Sequence, residues 1–325
     1  MPALPAGRRA RRFHGETMPI PVRPFRLPTL VAALAASLAG LAPALAQDAY
    51  PKTPIPEQKE DPAIHALLPE AIRETGVLKM ATDANYPPCQ WFDSEKKMVG
   101  YEVDIWDALA QVMGVTLEVS SIDFAGLIPG VQGGRYDAAM ECITDRPERE
   151  EVVDFVNHSL TYGNQFYYLA SNDTIVAEDP KSFCGLTTAG QSGTDFLTRL
   201  SGFNDWCVEQ GLEPIEIGEF PQQSAVLLAL FSGRIDFALS EGSAVDEIRA
   251  NNPVDIGSMP DPLEEKHYLG IVVAKENEPL KAALVAALTK LKADGAYDAI
   301  FAKWNLKHAA LSDFGVNMTT TKPLP

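Results

Sequence analysis

The residues best placed to do chemistry lie in one stretch, Asp137 to Phe155, reading DAAMECITDRPEREEVVDF. It opens on a short apolar run, Ala138 to Met140, that predicts a buried strand. It turns polar at Thr144-Asp145 and enters a predicted helix at Pro147, a residue suited to a first turn. Asp145, with Glu148 three residues on, predicts a capping box. Arg149 then falls in the first helical turns, beside backbone N–H groups that no helical carbonyl reaches. Free amides, a positive dipole end and a fixed guanidinium together make a carboxylate-binding corner. The competing reading is an ordinary strand–loop–helix whose arginine pairs with a surface glutamate. Catalytic constellations are missing from the other motifs. None joins Ser, His and Asp or Cys and His, and His158 and His267 read as surface or hinge positions. GQSGT is only weakly like a phosphate loop, and with no CxxC and no paired His, neither a metal nor another cofactor is expected.

The elements that must position this corner form an alternating series. The 325 residues are enough for two lobes with cores of their own. From Ile72, strands are predicted at Val77–Ala81 and Thr116–Ile122, and helices at Val103–Met113 and Phe124–Gln132. Asn164–Ala170 is a β-rich run suited to linking two lobes. A second series follows, with strands at Cys184–Thr188, Ile215–Phe220 and Ile235–Ser240 and helices at Thr194–Gln210, Gln222–Phe231 and from Ser243. Tyr268–Ala274 predicts another strand, ahead of helices at Leu280–Ala293 and Tyr297–Trp304. Such alternation implies an α/β fold of mainly parallel sheets with helices on both faces. One internal echo supports two similar lobes: GRYDAAME at Gly134 and GRIDFALSE at Gly233 each follow an apolar helix and open a buried strand. The expected architecture is two Rossmann-like lobes joined by a two-strand hinge, 72–164 plus 267–325 and 165–266. Ligands in such sheets bind beyond the carboxyl ends of the strands. The candidates there are Asp83 with Tyr86, Cys142 to Arg149, Gly190 to Thr194 with Gln191 and Ser192, and Glu241.

Residues 1–46 behave differently from the rest. Six arginines precede the apolar run LPTLVAALAASLAGLAPALA, which ends in Ala44-Leu45-Ala46. A basic start, a short apolar core and A-x-A are the parts of a secretory signal, here cleaved after Ala46. The alternative, a membrane anchor, conflicts with Pro28 and Pro43, which leave the apolar core short of a full span. Met18 offers a second possible start. Residues 47–71 are Pro-rich and charged, a tether or a wrapped arm. Without the first 46 residues the chain keeps 21 basic and 43 acidic residues, a net −22. That surface repels nucleic acid and anionic lipid and suits a freely diffusing protein. The export signal adds the expectation of a periplasmic location, and a monomer is expected. Four cysteines in an exported chain suggest disulfides. Cys184 and Cys207 are close in sequence and are expected to bridge; Cys89 and Cys142 would form the second pair, although sequence alone does not fix the pairing.

At these residues the chain resembles the periplasmic solute-binding proteins for polar amino acids that serve ABC importers, bacterial extracellular solute-binding proteins of family 3. The likeness runs in order from about Ile72 to Lys307. TDANYPPCQW is similar to that family's T-D-x-x-Y-P-P-F, GYEVDIWDALAQVMG to its G-F-D-x-D helix, and FAGLIPGVQGGRYDAAM to its L-I-P-x-L-x-x-G-x-x-D segment. CITDRPEREEVVDF is similar to its T-x-x-x-R-x-x-x-x-x-F, TTAGQSGTDFL to its V-x-x-G-T-T-x-E, and DGAYDAIFAKW to its closing D-G-x-Y-x-x-I-x-x-K-W. The resemblance implies a small-molecule ligand, an amino acid or a relative of one, and a membrane permease as partner. It implies that Arg149 holds the ligand carboxylate, helped by amides near Thr144 and Ser192, and that the Thr144 hydroxyl goes to the carboxylate or the ammonium. The carbonyl near Cys142 and the Glu241 carboxylate would take the ammonium. Tyr86 and Phe124 would sandwich the side chain, Asp83 would meet its far end, and Trp91 would line the pocket.

Departures from the family pattern are informative. Glu241 stands where that family usually has Asp, Glu141 where small residues are common, and Arg146 where Thr precedes Pro. Glu141 has two readings, into the cleft or outward to solvent or Arg146. In the first, Glu141, Glu241 and Asp83 would favour a cationic ligand. A second function, cyclohexadienyl dehydratase chemistry on the same scaffold, would use Glu241 as a buried general acid. A third, a sensory module, would use the same cleft.

Overall fold

The structure is a computed structural model and describes residues 50–161, 163–241, 254–263 and 265–324. The export segment and the helix expected from Ser243 lie outside the described residues. The first lobe is built on a five-stranded sheet, in spatial order β5 (Thr116–Ser121), β1 (Val77–Thr82), β6 (Ala138–Ala139), β13 (Tyr268–Val273) and β7 (Asp154–Leu160). The second lobe repeats the plan with β10 (Glu216–Phe220), β9 (Thr187–Gln191), β11 (Phe237–Glu241), β8 (Asn164–Leu169) and β12 (Ile256–Pro260). Four strands of each sheet run the same way, whereas β13 and β8 each run antiparallel to both neighbours. The sheets are therefore mixed, where alternation alone predicted mainly parallel ones. The reason is the crossing. The chain leaves one lobe at the carboxyl ends of its strands and enters the other at the same edge, so its first strand there runs away from that edge. The two crossings are tied together, since the Thr161 amide donates to the His267 carbonyl (2.8 Å) and the His267 amide to Thr161 Oγ1 (3.0 Å).

The internal echo has a structural cause. Asp137 receives the Lys79 amide (2.8 Å) while its own amide donates to the Lys79 carbonyl, joining the entry of β6 to β1. Asp236 does the same at the entry of β11, taking the Thr187 amide (2.9 Å) and hydroxyl (2.7 Å). The two aspartates thus fix register where the strands that end at the cleft begin. Asp236→Ala leaves the Thr187 donors without that partner and is expected to cost about 1–3 kcal/mol. Denaturant unfolding checks this; an unchanged midpoint would contradict the stapling role.

Helix Tyr101–Met113 illustrates how sequence sets an element. Acidic Glu102 and Asp104 occupy its positive first turn, and Gly114 closes it in the left-handed region (φ 66°). Its buried stripe of Ile105, Trp106, Leu109 and Val112 belongs to the lobe-one core. Lobe two centres on Phe166, whose ring meets Phe183, Phe203 and Phe237 at 4.9–5.2 Å between centroids. Both expected disulfides are present, Cys89–Cys142 and Cys184–Cys207. The segment before Glu70 is a wrapped arm rather than a tether: Tyr50 stacks on Trp304, and the Asp61 amide donates to the Val112 carbonyl (2.9 Å).

Three local expectations are corrected. Asp145 does not cap the helix at Pro147; Arg146 holds the N-cap position, and Asp145 instead takes Asn157 Nδ2 (2.9 Å) and the Thr319 amide (3.2 Å). His158 is neither surface nor hinge. It is fully buried in β7, whose outer edge is covered by the C-terminal segment through bridges at Val316 and Ala310. Its Nε2 lies 3.1 Å from Glu102. Trp91, in a small antiparallel sheet of β2 (Asn85–Tyr86), β3 (Gln90–Phe92) and β4 (Met98–Val99), packs edge-on against Tyr50 and Trp304.

Candidate functional site

The strands β1, β6, β9 and β11 all end at one narrow cavity between the sheets, about 30 Å³ in volume. Its walls include most of the residues singled out in the sequence: Tyr86, Phe124, Glu141, Cys142, Thr144, Arg149, Gln191 and Glu241. Three stand elsewhere. Asp83 lies one layer behind, taking Gln191 Nε2 (2.7 Å) and Asn85 Nδ2 (2.9 Å). The Ser192 amide is engaged by the Phe220 carbonyl (2.8 Å), at the end of β10. Trp91 belongs to the arm cluster described above.

The cavity is narrow because Arg149 reaches across it. Its Nη1 donates to the Thr144 carbonyl (2.8 Å) and its Nη2 to the Gly193 carbonyl of the other lobe (2.9 Å). Gly193 adopts φ 77°, and a Cβ there would meet Ala125 Cα of lobe one at 3.2 Å. Only glycine lets the two backbones approach this closely. The guanidinium stands 5.9 Å above the Phe124 ring. Tyr86 faces Phe196 of lobe two rather than Phe124, at 6.1 Å between centroids. The lobes also meet through Arg146 paired with Asp195 and through Gln191 on Asp83. Arg146 is therefore not a partner for Glu141, which turns into the cavity.

Burial dominates the electrostatics. Glu141 is 2% exposed, and its pKa is pushed well above the usual carboxylate range by burial, then by the charges of Asp83 and Glu102. Burial also raises Asp83, against the opposing hydrogen bonds from Asn85 and Gln191. Burial lowers Arg149, with Asp195 opposing that shift. His267 is pushed down by burial and then by Arg146.

Several wall residues were missed in the sequence: Thr161, Asn164, Asp195, Phe196 and His267. Thr161, Asn164 and His267 sit on the two crossings, so their place depends on the hinge. Asp195 and Phe196 follow GQSGT in turn, and that adjacency was the available signal.

A family model matches residues 78–307, that of the bacterial extracellular solute-binding proteins, family 3. The chain belongs to this family. This solute-binding protein is similar to an arginine-binding protein of Corynebacterium glutamicum, 31% identical over 79% of this chain and 83% of that one. It is similar to a putative ABC transporter arginine-binding protein of Escherichia coli K12, 29% identical over 70% of this chain and 90% of the relative. Among solved structures, an ancestral arginine-binding protein bound to arginine superposes with a TM-score of 0.61 and 26% identity, over 70% of this chain and 98% of that one. Family membership makes the solute-binding protein the capturing component of an ABC importer, with a membrane permease as partner, and not the dehydratase that the sequence also allowed. Among the described residues, no helix is long and apolar enough to cross a membrane.

Proposed function

We propose that this solute-binding protein captures an amino acid with a cationic side chain, arginine being the first candidate. Capture occurs by closure of two lobes, 72–164 plus 267–325 and 165–266, and the closed form delivers the ligand to its permease. The observation that carries the reading is the composition of one cavity: a carboxylate-binding guanidinium, Arg149, shares it with the buried carboxylates Glu141 and Glu241. The ligand carboxylate replaces the Gly193 carbonyl on Arg149 and gains a forked, charge-assisted pair. Thr144 adds a further hydrogen bond beside it. Glu241 and the Cys142 backbone take the ammonium. Tyr86, Phe124 and Phe196 enclose the aliphatic stem, and Glu141 meets the distal cation, with Asp83 adding negative potential from behind the wall. The names of the relatives, two of them arginine-binding, support the same ligand class. The protein works as a monomer in the periplasm after cleavage behind Ala46, and its net negative surface keeps it off nucleic acid.

A thermal-shift screen of the mature chain against the common amino acids tests this, because a ligand that binds only the folded state raises the melting point. The largest shifts are expected from arginine, lysine and ornithine; shifts from acidic amino acids alone would contradict the reading. Closure itself predicts that Arg146 and Asp195 are coupled. A double-mutant cycle on ligand affinity with Arg146→Ala and Asp195→Ala should return a coupling of about 1 kcal/mol. Strictly additive losses would remove the pair from the closure mechanism.

A further inference from the structure

Three buried carboxylates act on one another behind and at the cavity wall: Asp83 after β1, Glu102 in helix Tyr101–Met113, and Glu141 after β6, which alone of the three lines the cavity. Two are satisfied. Both Asp83 oxygens accept side-chain amides, from Asn85 and Gln191. Both Glu102 oxygens accept the Cys142 amide at 2.9 Å, and His158 Nε2 stands 3.1 Å away. Glu141 differs, since its Oε2 is buried with no hydrogen-bond partner among the described residues while its side chain lines the cavity. The other charged groups on the cavity wall are Arg149, held by the Thr144 and Gly193 carbonyls, Asp195, held by Arg146, and Glu241 and His267. The neighbours that act most on Glu141 are both acidic.

A carboxylate buried beside two others, with no donor on one oxygen, is relieved either by a proton or by a cation. We propose that Glu141 exchanges one for the other: it is a carboxylic acid before capture and releases its proton to solvent when the cationic side chain enters beside it. This rests on the cationic-amino-acid reading above and makes Glu141 the residue that sets specificity. The step balances simply. The O–H bond of Glu141 breaks, the proton goes to bulk water, and the carboxylate left behind pairs with the guanidinium. The net charge of the site is the same before and after. Burial holds the pKa of Glu141 in the free state above the ordinary carboxylate range, so protons compete with the ligand below that raised value. Affinity for a cationic ligand then falls as pH is lowered, by up to about tenfold per pH unit, and levels off above it.

The test is isothermal titration of the mature protein with L-arginine at about pH 5, where the free-state acid is to be protonated, in two buffers of equal pH and different ionisation heats. Release of about one proton per arginine by the wild-type protein, and of none by E141Q, is the expected result. Arginine binding without proton release overturns the exchange and leaves the ligand class standing. Release that persists in E141Q also overturns it, because the proton then comes from another group. Failure of arginine, lysine and ornithine to bind at all overturns the reading on which the exchange rests. If E141Q does not fold, the wild-type affinity for arginine measured from about pH 8 to about pH 5 decides, and a flat profile overturns the proposal.

Discussion

Arg149→Ala is expected to lose about 100- to 1,000-fold in ligand affinity, or about 3–4 kcal/mol, while its fold and far-UV spectrum stay those of the wild type. The size of the loss follows from burial. The half-buried guanidinium stands in the cavity between the lobes, where the ligand carboxylate it would pair with is largely withdrawn from water, and deleting the arginine leaves that charge unmatched. The fold survives because the side chain's own hydrogen bonds run to two loop carbonyls, Thr144 and Gly193, and not into either core. Arg149→Lys should fall between the two, since an ammonium supplies charge without the planar fork. Calorimetric titration of the three proteins with L-arginine measures the series. Wild-type affinity in the alanine variant would show that the carboxylate is held elsewhere.

The second large effect concerns the disulfides. Removing Cys89–Cys142 by a double alanine substitution frees a loop spanning 53 positions and is expected to cost about 4 kcal/mol of stability. Removing Cys184–Cys207, separated by 23 positions, should cost about 3 kcal/mol. The two differ in function more than in stability. Cys142 lines the cavity, adopts φ 42° and donates its amide to Glu102, so its bridge fixes the loop that carries Glu141. Cys207 sits fully buried in the helix Asp195–Glu209, and neither it nor Cys184 lines the cavity. Loss of the first bridge should therefore weaken arginine binding as well as lower the melting temperature, and loss of the second should lower the melting temperature alone. Equal effects on affinity would show that the first bridge does not shape the site.

Much of this arrangement was legible in the sequence. The βα alternation, the GRxD echo and the placement of Arg149 behind Pro147 depend on local pattern, and each has its counterpart in the structure. What sequence could not give depends on contacts distant along the chain. The reversed strands β8 and β13 follow from where the chain crosses between lobes, which periodicity does not report. Asp145 resembled a cap because its spacing to Glu148 fits one, but residues near 319 claim it instead. His158 looked like a surface residue until the C-terminal segment closed over the outer edge of β7. Asp83 was expected at the ligand's far end, and Gln191 from the opposite lobe covers it there. That last contact, across 108 positions of sequence, leaves Glu141 and not Asp83 on the cavity wall.

The most direct measurement compares L-arginine with agmatine, the same molecule without its carboxylate, by calorimetric titration of the mature protein. Arginine should saturate one site per chain, and agmatine should bind at least about 100-fold more weakly because Arg149 has no carboxylate to hold. Equal affinity for the two compounds, or binding of neither, would contradict capture of an amino acid by the Arg149 corner.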